Sequence, residues 1–266
     1  MSNIDNLLKP IKNSKHVSIE EAMRILEGIP DAPEGSAGAD EAKGSTAPQN
    51  VWQPGMKCLI DALPAENGAY KMQDQWIQYF NALKDGRVFA SMPDYYPFFK
   101  QLKNSIETGD DNAASQAVIQ SLRKDFKDRW IVSSTRIQNG INPANSLEGK
   151  IIHNYGCKDT SLVNEEIKEI PVYSSAGIAE VVQEQKGLEY LRAYFGTNDS
   201  AETIIQLMGF VSGKERSKIK VWTADTDARS QPTDKVAVLS YGGDGFHING
   251  DDLLIDRGRA RGVRYE

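Results

Sequence analysis

The order of the periodic segments constrains this chain most. Helical spacing fills its middle, strand signals close it, and the two never alternate as a doubly wound βαβ fold requires. "QDQWIQYFNALKDG" places Trp76, Ile77, Phe80 and Leu83 at helical spacing and stops at Gly86. "RVFASMPDYYPFFKQLKNSI" reads as a short strand and then an aromatic-rich helix, with Pro93 near the first helical position and Asp94 in the first turn, where the helix dipole favours an acid. "NAASQAVIQSLRKDF" is an amphipathic helix and "RWIVSSTRI" a strand rich in β-branched residues. "GKIIHNYG" and "EIPVYS" read as short strands, and "GLEYLRAYFG" and "AETIIQLMGFVSG" as helices, the second capped by Asp199 or Ser200 and stopped by Gly213. The remainder is β: the strand "KIKVWTA", the polar loop "DTDARSQPTD", two strands around a Gly-rich turn in "KVAVLSYGGDGFHIN", and a closing "RARGVRYE". The expected class is α+β, two or more helices packed on a mainly antiparallel sheet, with the Met and aromatic stripes as core.

At 266 residues the chain can bury a core of one large domain with an appendage. "SIEEAMRILEG" predicts a short helix with Ser18 as N-cap and Glu21 completing a capping box, and "PDAPEGSAGADEAKGSTAPQN" offers almost nothing to bury. Residues 1–50 are therefore expected as helix and flexible linker, and 51–266 as the folded domain. The balance of 31 basic against 37 acidic residues, net −6, lacks the basic stripe a nucleic-acid partner needs. No apolar run approaches the ~20 residues that span a bilayer, and the start lacks the layout of a signal peptide. No membrane insertion and a cytoplasmic location by default are expected, with surface display left open.

Chemical motifs are sparse. The three histidines are His16, His153 and His247, and H-E-x-x-H, G-x-S-x-G and Cys-x-x-Cys are absent. "GFVSGKE" fails as a phosphate loop because Met208 replaces its first glycine and Glu215 follows Lys214, and "GGDGFHING" fails the dinucleotide pattern at Ile248. Asp244, Asn249, Asp251, Asp252 and Asp256, or Asp225, Asp227 and Asp234, carry oxygen ligands for calcium, but neither run has EF-hand order, and solvated turn aspartates are the expected reading. His153, Tyr155 and Cys157 cluster in "HNYGCK" without a third orienting group for a nucleophile. Cys58 and Cys157 allow at most one bridge and are expected as buried thiols. Neither metal nor cofactor is expected.

One absence stands out. From Val236 to Arg261 there is no Lys, Glu, Gln, Met or Trp, although the rest of the chain uses all of them. Strand context mildly disfavours Lys, Glu and Gln and explains part of this. The same residues are those whose codons all end in a purine, so codons ending in a pyrimidine encode none of them. Diversity-generating retroelements replace template adenines at random, and asparagine codons AAC and AAT then yield only pyrimidine-ending codons. From Trp222 onward, with its "VWTA" strand, polar loop, mixed strands and closing "GRARGVR", the chain resembles the variable proteins of these elements, in an outlying archaeal, nanoarchaea-like subclass.

The resemblance implies a C-type lectin-like fold, with the helices at Pro93–Ile106 and Asn112–Phe126 as its pair and 222–266 as the variable region. It implies a protein that binds a protein or glycan ligand without catalysis. Alternation in "GFHIN" puts Phe246 and Ile248 in the core and His247 and Asn249 at the surface. The ligand-contacting candidates are Ser240, Tyr241, Gly243, Asp244, His247, Asn249, Asp251, Asp252, Leu253, Leu254, Asp256 and Arg257. Arg259, Arg261 and Arg264 are expected in the fixed scaffold, pairing with aspartates or carbonyls. The lectin calcium triplet Gln-Pro-Asp is interrupted by Thr233 after Gln231 and Pro232. An alternative is a lectin-fold enzyme of the formylglycine-generating type, whose cysteines are missing here, or a hydrolase using His247 and aspartates such as Asp244.

Overall fold

The chain runs β1 (Asn50–Val51), β2 (Cys58–Asp61), α1 (Gln73–Ala82), β3 (Val88–Phe89), α2 (Met92–Thr108), α3 (Asn112–Asp128), β4 (Trp130–Asn139), β5 (Glu148–His153), β6 (Asn164–Glu169), β7 (Ala176–Gly177), α4 (Ile178–Val181), α5 (Gln185–Phe195), α6 (Ala201–Ser212), β8 (Ile219–Trp222), β9 (Thr233–Gly242), β10 (Gly245–Asp252), β11 (Gly258–Arg259) and β12 (Gly262–Tyr265). This computed structural model describes residues 50–51, 58–61, 64–110, 112–128, 130–142, 144–145, 147–223, 233–254 and 256–265. The helix expected near Ser18, the linker after it and most of the polar loop with Asp225 and Asp227 lie outside the described residues. Helices and a mixed sheet together make the fold α+β.

An eight-stranded sheet runs β6-β5-β4-β9-β10-β8-β7, with β11 added beside β4, and a four-stranded sheet runs β1-β2-β12-β3. The long apolar strands β4 and β9 form the centre. One sheet face presents Ile131, Ile137, Ala237, Leu239, Phe246 and Ile248 to Phe98, Phe99 and Leu102 of α2, Leu122 and Phe126 of α3, and residues of α5 and α6, in one core. At about 1.5–3 kcal/mol for each large apolar side chain, this burial is the main stabilising term. The other face presents Val132, Val236 and Val238 to Trp76 and Phe80 of α1 in a smaller core. Buried Arg136 donates to Gln73 Oε1 from Nε (3.0 Å) and Nη2 (2.8 Å), and Gln73 Nε2 in turn donates to the carbonyls of Ser133 and Thr135. Those bonds fasten α1 to β4.

The local signals act as expected at several ends. Ser91 caps α2 in a box with Asp94, whose carboxylate accepts from Ser91 N at 2.7 Å. Ser200 caps α6, accepting from Thr203 N at 3.2 Å, and Gly213 ends it with φ 63. One expectation changes: "EIPVYS" is not a strand, since the ladder is β6, just before it, and Pro171 has no N–H to extend it. The sheet is mainly antiparallel, with β8 parallel to β10 and β11 parallel to β4. His153 and Cys157 form no pair: the imidazole is buried between Thr135 Oγ1 and Ala193 O, both at 3.0 Å, and burial lowers its pKa to about 4. Cys157 is a free thiol, which burial pushes up.

The last residues lock the fold. Arg259 Nη1 lies 2.6 Å from Asp125 Oδ1, and Arg261 Nη2 lies 2.8 Å from Asp125 Oδ2, with all three side chains buried. Arg261 Nη1 also donates to Asp61 O, and Tyr265 Oη donates to Asp94 on α2. Removing Asp125 leaves two buried guanidinium groups short of their carboxylate. Asp125→Ala is expected to destabilise by about 3–5 kcal/mol, measured by urea titration.

Candidate functional site

The β9–β10 hairpin places the candidate residues, and its turn depends on two glycines. At Gly245 a Cβ would collide with the Lys218 carbonyl, and at Gly242 with the ring of His247, which lies across the backbone there. In β10, Phe246 and Ile248 are fully buried while His247 and Asn249 are half-buried on the opposite face, as the alternation required. His247 sits opposite Ser240 on β9 and opposite Lys220 on β8, and Asn249 opposite Trp222. The His247 and Trp222 rings are 5.8 Å apart, centre to centre. Trp222 Nε1 is buried and has no hydrogen-bond partner among the described residues.

Three polar side chains meet at the hairpin tip. His247 Nε2 lies 2.6 Å from Asp244 Oδ1, and Ser175 Oγ donates to Asp244 Oδ2 at 3.1 Å. The bond with His247 holds the Asp244 carboxyl below the ordinary carboxylate range. Ser175 precedes β7 in the left-handed region, at φ 61. The aspartate stands between serine and histidine, so the hydroxyl bonds to the carboxylate and not to the imidazole. Nucleophilic activation needs a base that takes the serine proton, with the acid behind that base. The tip therefore holds a carboxylate and an imidazole in fixed positions.

A second group lies at the other end of β10, about 25 Å along the strand. Lys235 Nζ is 2.8 Å from Asp251 Oδ1, and Asp256 Oδ2 accepts from Leu253 N at 3.2 Å. The Asp252 carboxyl is pushed up to about 7, first by burial and then by Asp256 and Asp251, against the opposing effect of Lys235. Leu253 is 51% exposed, a large apolar side chain at the surface, while Leu254 packs on the smaller core. Arg257 is exposed. No group of three or more His, Cys, Asp or Glu side chains suited to a metal ion occurs among the described residues.

The twelve candidates thus divide. Gly243, Asp244, Leu253 and Arg257 are exposed, and His247, Asn249 and Asp256 are half-buried. Ser240 is a correction: it is only 5% exposed, on β9, an interior strand flanked by β4 and β10. Tyr241 is half-turned inward, its ring edge-on to Phe126 and Phe246 and its hydroxyl donating to Ser212 O. Asp251, Asp252 and Leu254 are half-buried. Sequence reasoning missed Trp222, Lys220 and Ser175 as neighbours of His247. Strand β8 was recognisable, but nothing local signalled its parallel seat beside β10. Beside Ser175 opens a groove of about 510 Å³ lined by Glu169, Pro171, Val172, Tyr173, Glu180 and Glu184, among others, and none of the twelve candidates lines it.

Comparison with family models, with characterised proteins and with solved structures finds no match.

The buried carboxyl of Asp252 gives a signed pH dependence. With its folded pKa raised from 3.8 to about 7, its contribution to stability is fully present below the unfolded value and is lost as pH rises through about 7. Asp61, raised to about 6 by burial, acts with the same sign at lower pH, and His153, lowered to about 4, acts with the opposite sign as the unfolded imidazole titrates near 6.5, so over about pH 6 to 8 the difference between wild type and an Asp252 variant reports Asp252. Thermal unfolding of Asp252→Asn across that interval is expected to show a shallower fall than wild type and a higher melting temperature at its alkaline end.

Proposed function

We propose that this protein binds a protein or glycan ligand through a surface diversified by a retroelement, on a C-type lectin-like scaffold. The observation that carries the reading is the absence of all five purine-ending residue types from Val236 to Arg261. The arrangement of that stretch supports it. Its apolar residues Val236, Val238, Leu239, Phe246 and Ile248 are buried, while Gly243, Asp244, Leu253 and Arg257 are exposed. Strand pairing is carried by the backbone, so surface side chains can be exchanged while the ladder persists, and a rigid scaffold bearing variable loops is a usual layout for recognition. Two long helices, α2 and α3, and the antiparallel β4, β9 and β10 agree with the lectin-like layout in outline. A tip built from Trp222, His247, Asn249 and Asp244 offers an aromatic surface with hydrogen-bonding groups, suited to a polar ligand with one flat apolar face.

Sequencing the locus tests the genetic half. A nearby near-copy of the segment is expected, with adenine at each differing position, and exchanged codons ending in a pyrimidine. No such copy, or purine endings at the exposed positions, would refute the reading.

Replaceability tests the structural half. Asp244→Ala, at an exposed position, is expected to change unfolding free energy by less than about 0.5 kcal/mol, as surface substitutions do, and His247→Ala, whose ring packs on Gly242 and Trp222, by less than about 1 kcal/mol. Gly245→Ala, which meets the Lys218 carbonyl, is expected to cost more than about 1 kcal/mol. A tip whose histidine or aspartate is as costly to remove as Gly245 is part of the frame and not an exchangeable surface.

A further inference from the structure

Strand β6, "NEEIKE", closes one side of the eight-stranded sheet. It pairs with β5 from Glu148↔Glu169 to His153↔Asn164, and no strand pairs with its outer side among the described residues. The Ile170 N–H donates to Leu147 O directly opposite at 2.8 Å, which makes that pair a hydrogen-bonded one and fixes the phase of the ladder. Residues 164, 166 and 168 therefore turn their backbone groups toward β5. Those of Glu165, Ile167 and Glu169 point outward, and Ile167 is 61% exposed.

An open edge of this kind is a template for another strand, and charged side chains normally discourage such pairing. Here the charges have a pattern that one partner satisfies. Two copies of β6 meeting antiparallel about a two-fold axis must oppose outward residues with outward residues. Centred on Glu166 or on Lys168, the pairing puts like charges face to face. Centred on Ile167, it stacks Ile167 on its mate, puts Glu166 opposite the Lys168 of the other copy, and repeats that pair by symmetry. These Glu–Lys pairs occupy the non-hydrogen-bonded positions, where cross-strand side chains are closest. Glu166 and Lys168 already pair within each chain at 2.8 Å, so this register joins the two pairs into a four-membered cluster of alternating charge, and the like-charge Glu165–Glu169 contacts, one on each side of the axis, are compensated within each chain by Lys150 at 3.0 Å from Glu165 and Lys186 at 2.5 Å from Glu169.

We propose that β6 is a self-recognition edge, through which two copies of this chain join their sheets in the Ile167-centred register. Such a contact is isologous, so it closes at a dimer.

Sedimentation of the full chain tests it. At about 100 μM, enough to populate a dimer with a micromolar Kd, wild type is expected to show twice the chain mass. Glu166→Lys is expected to weaken association at least about tenfold, by opposing lysines in both symmetric pairs. The exchange Glu166→Lys with Lys168→Glu is expected to restore it, because the cross-pairs are again unlike. Ile167→Pro removes only an outward N–H, leaves the β5 ladder intact and is expected to give a monomer. Circular dichroism confirms that each variant is folded, and a misfolded proline variant leaves the charge exchange to decide. A monomeric wild type, or a dimer indifferent to Glu166→Lys, overturns the proposal.

Discussion

Asp125 is enclosed by two guanidinium groups that arrive from the far end of the chain, Arg259 on one oxygen and Arg261 on the other. A carboxylate buried on a helix is costly unless paired, and two buried arginines are costlier still, so each group stabilises the fold only while the others are present. The arrangement couples α3 to the segment that follows β10. Tyr265 adds a second tie, from the final strand to Asp94 at the start of α2, and β12 pairs with β2 to close the smaller sheet. Both long helices and the first described strands are thereby held by residues 259–265.

That frame holds the stretch before it. Strand β9 is fixed by pairing on β4 and β10, and β10 by pairing on β9 and β8. The inward side chains fill two cores on opposite faces of the sheet, Asp244 at the tip and Leu253 and Arg257 in the exit loop stay exposed, and His247 packs on Gly242 and Trp222. Asp252 is a half-buried acid among acids, its carboxyl raised first by burial and then by Asp256 and Asp251.

The two ends of the hairpin differ in how far they were legible. Alternation in "GFHIN" gave the sides of Phe246, His247, Ile248 and Asn249 correctly, because the period of a strand is local. It did not show that Ser240 is covered, since that depends on what lies over β9. Arg259 and Arg261 were expected to pair with the surplus aspartates or with backbone carbonyls, and they do bond the carbonyls of Gly68 and Asp61. Their shared carboxylate is Asp125, well over a hundred residues earlier, while Asp251 near them in sequence pairs with Lys235. Pairing of His247 with Asp244 follows from the tight turn, whereas contact with Trp222 follows from a parallel strand with no local signature.

Composition and spacing by themselves determined the α+β class, the helix limits near Pro93, Ser200 and Gly213, the core faces of the long elements, and the missing residue types of the closing segment. These are properties of neighbouring residues. Only the tertiary structure decided the mixed order of the sheet, the Asp125 anchor, the burial of Ser240 and the open edge at β6. Each of those depends on which distant segments meet, and that is set by how the two cores fill and by where buried charges find partners.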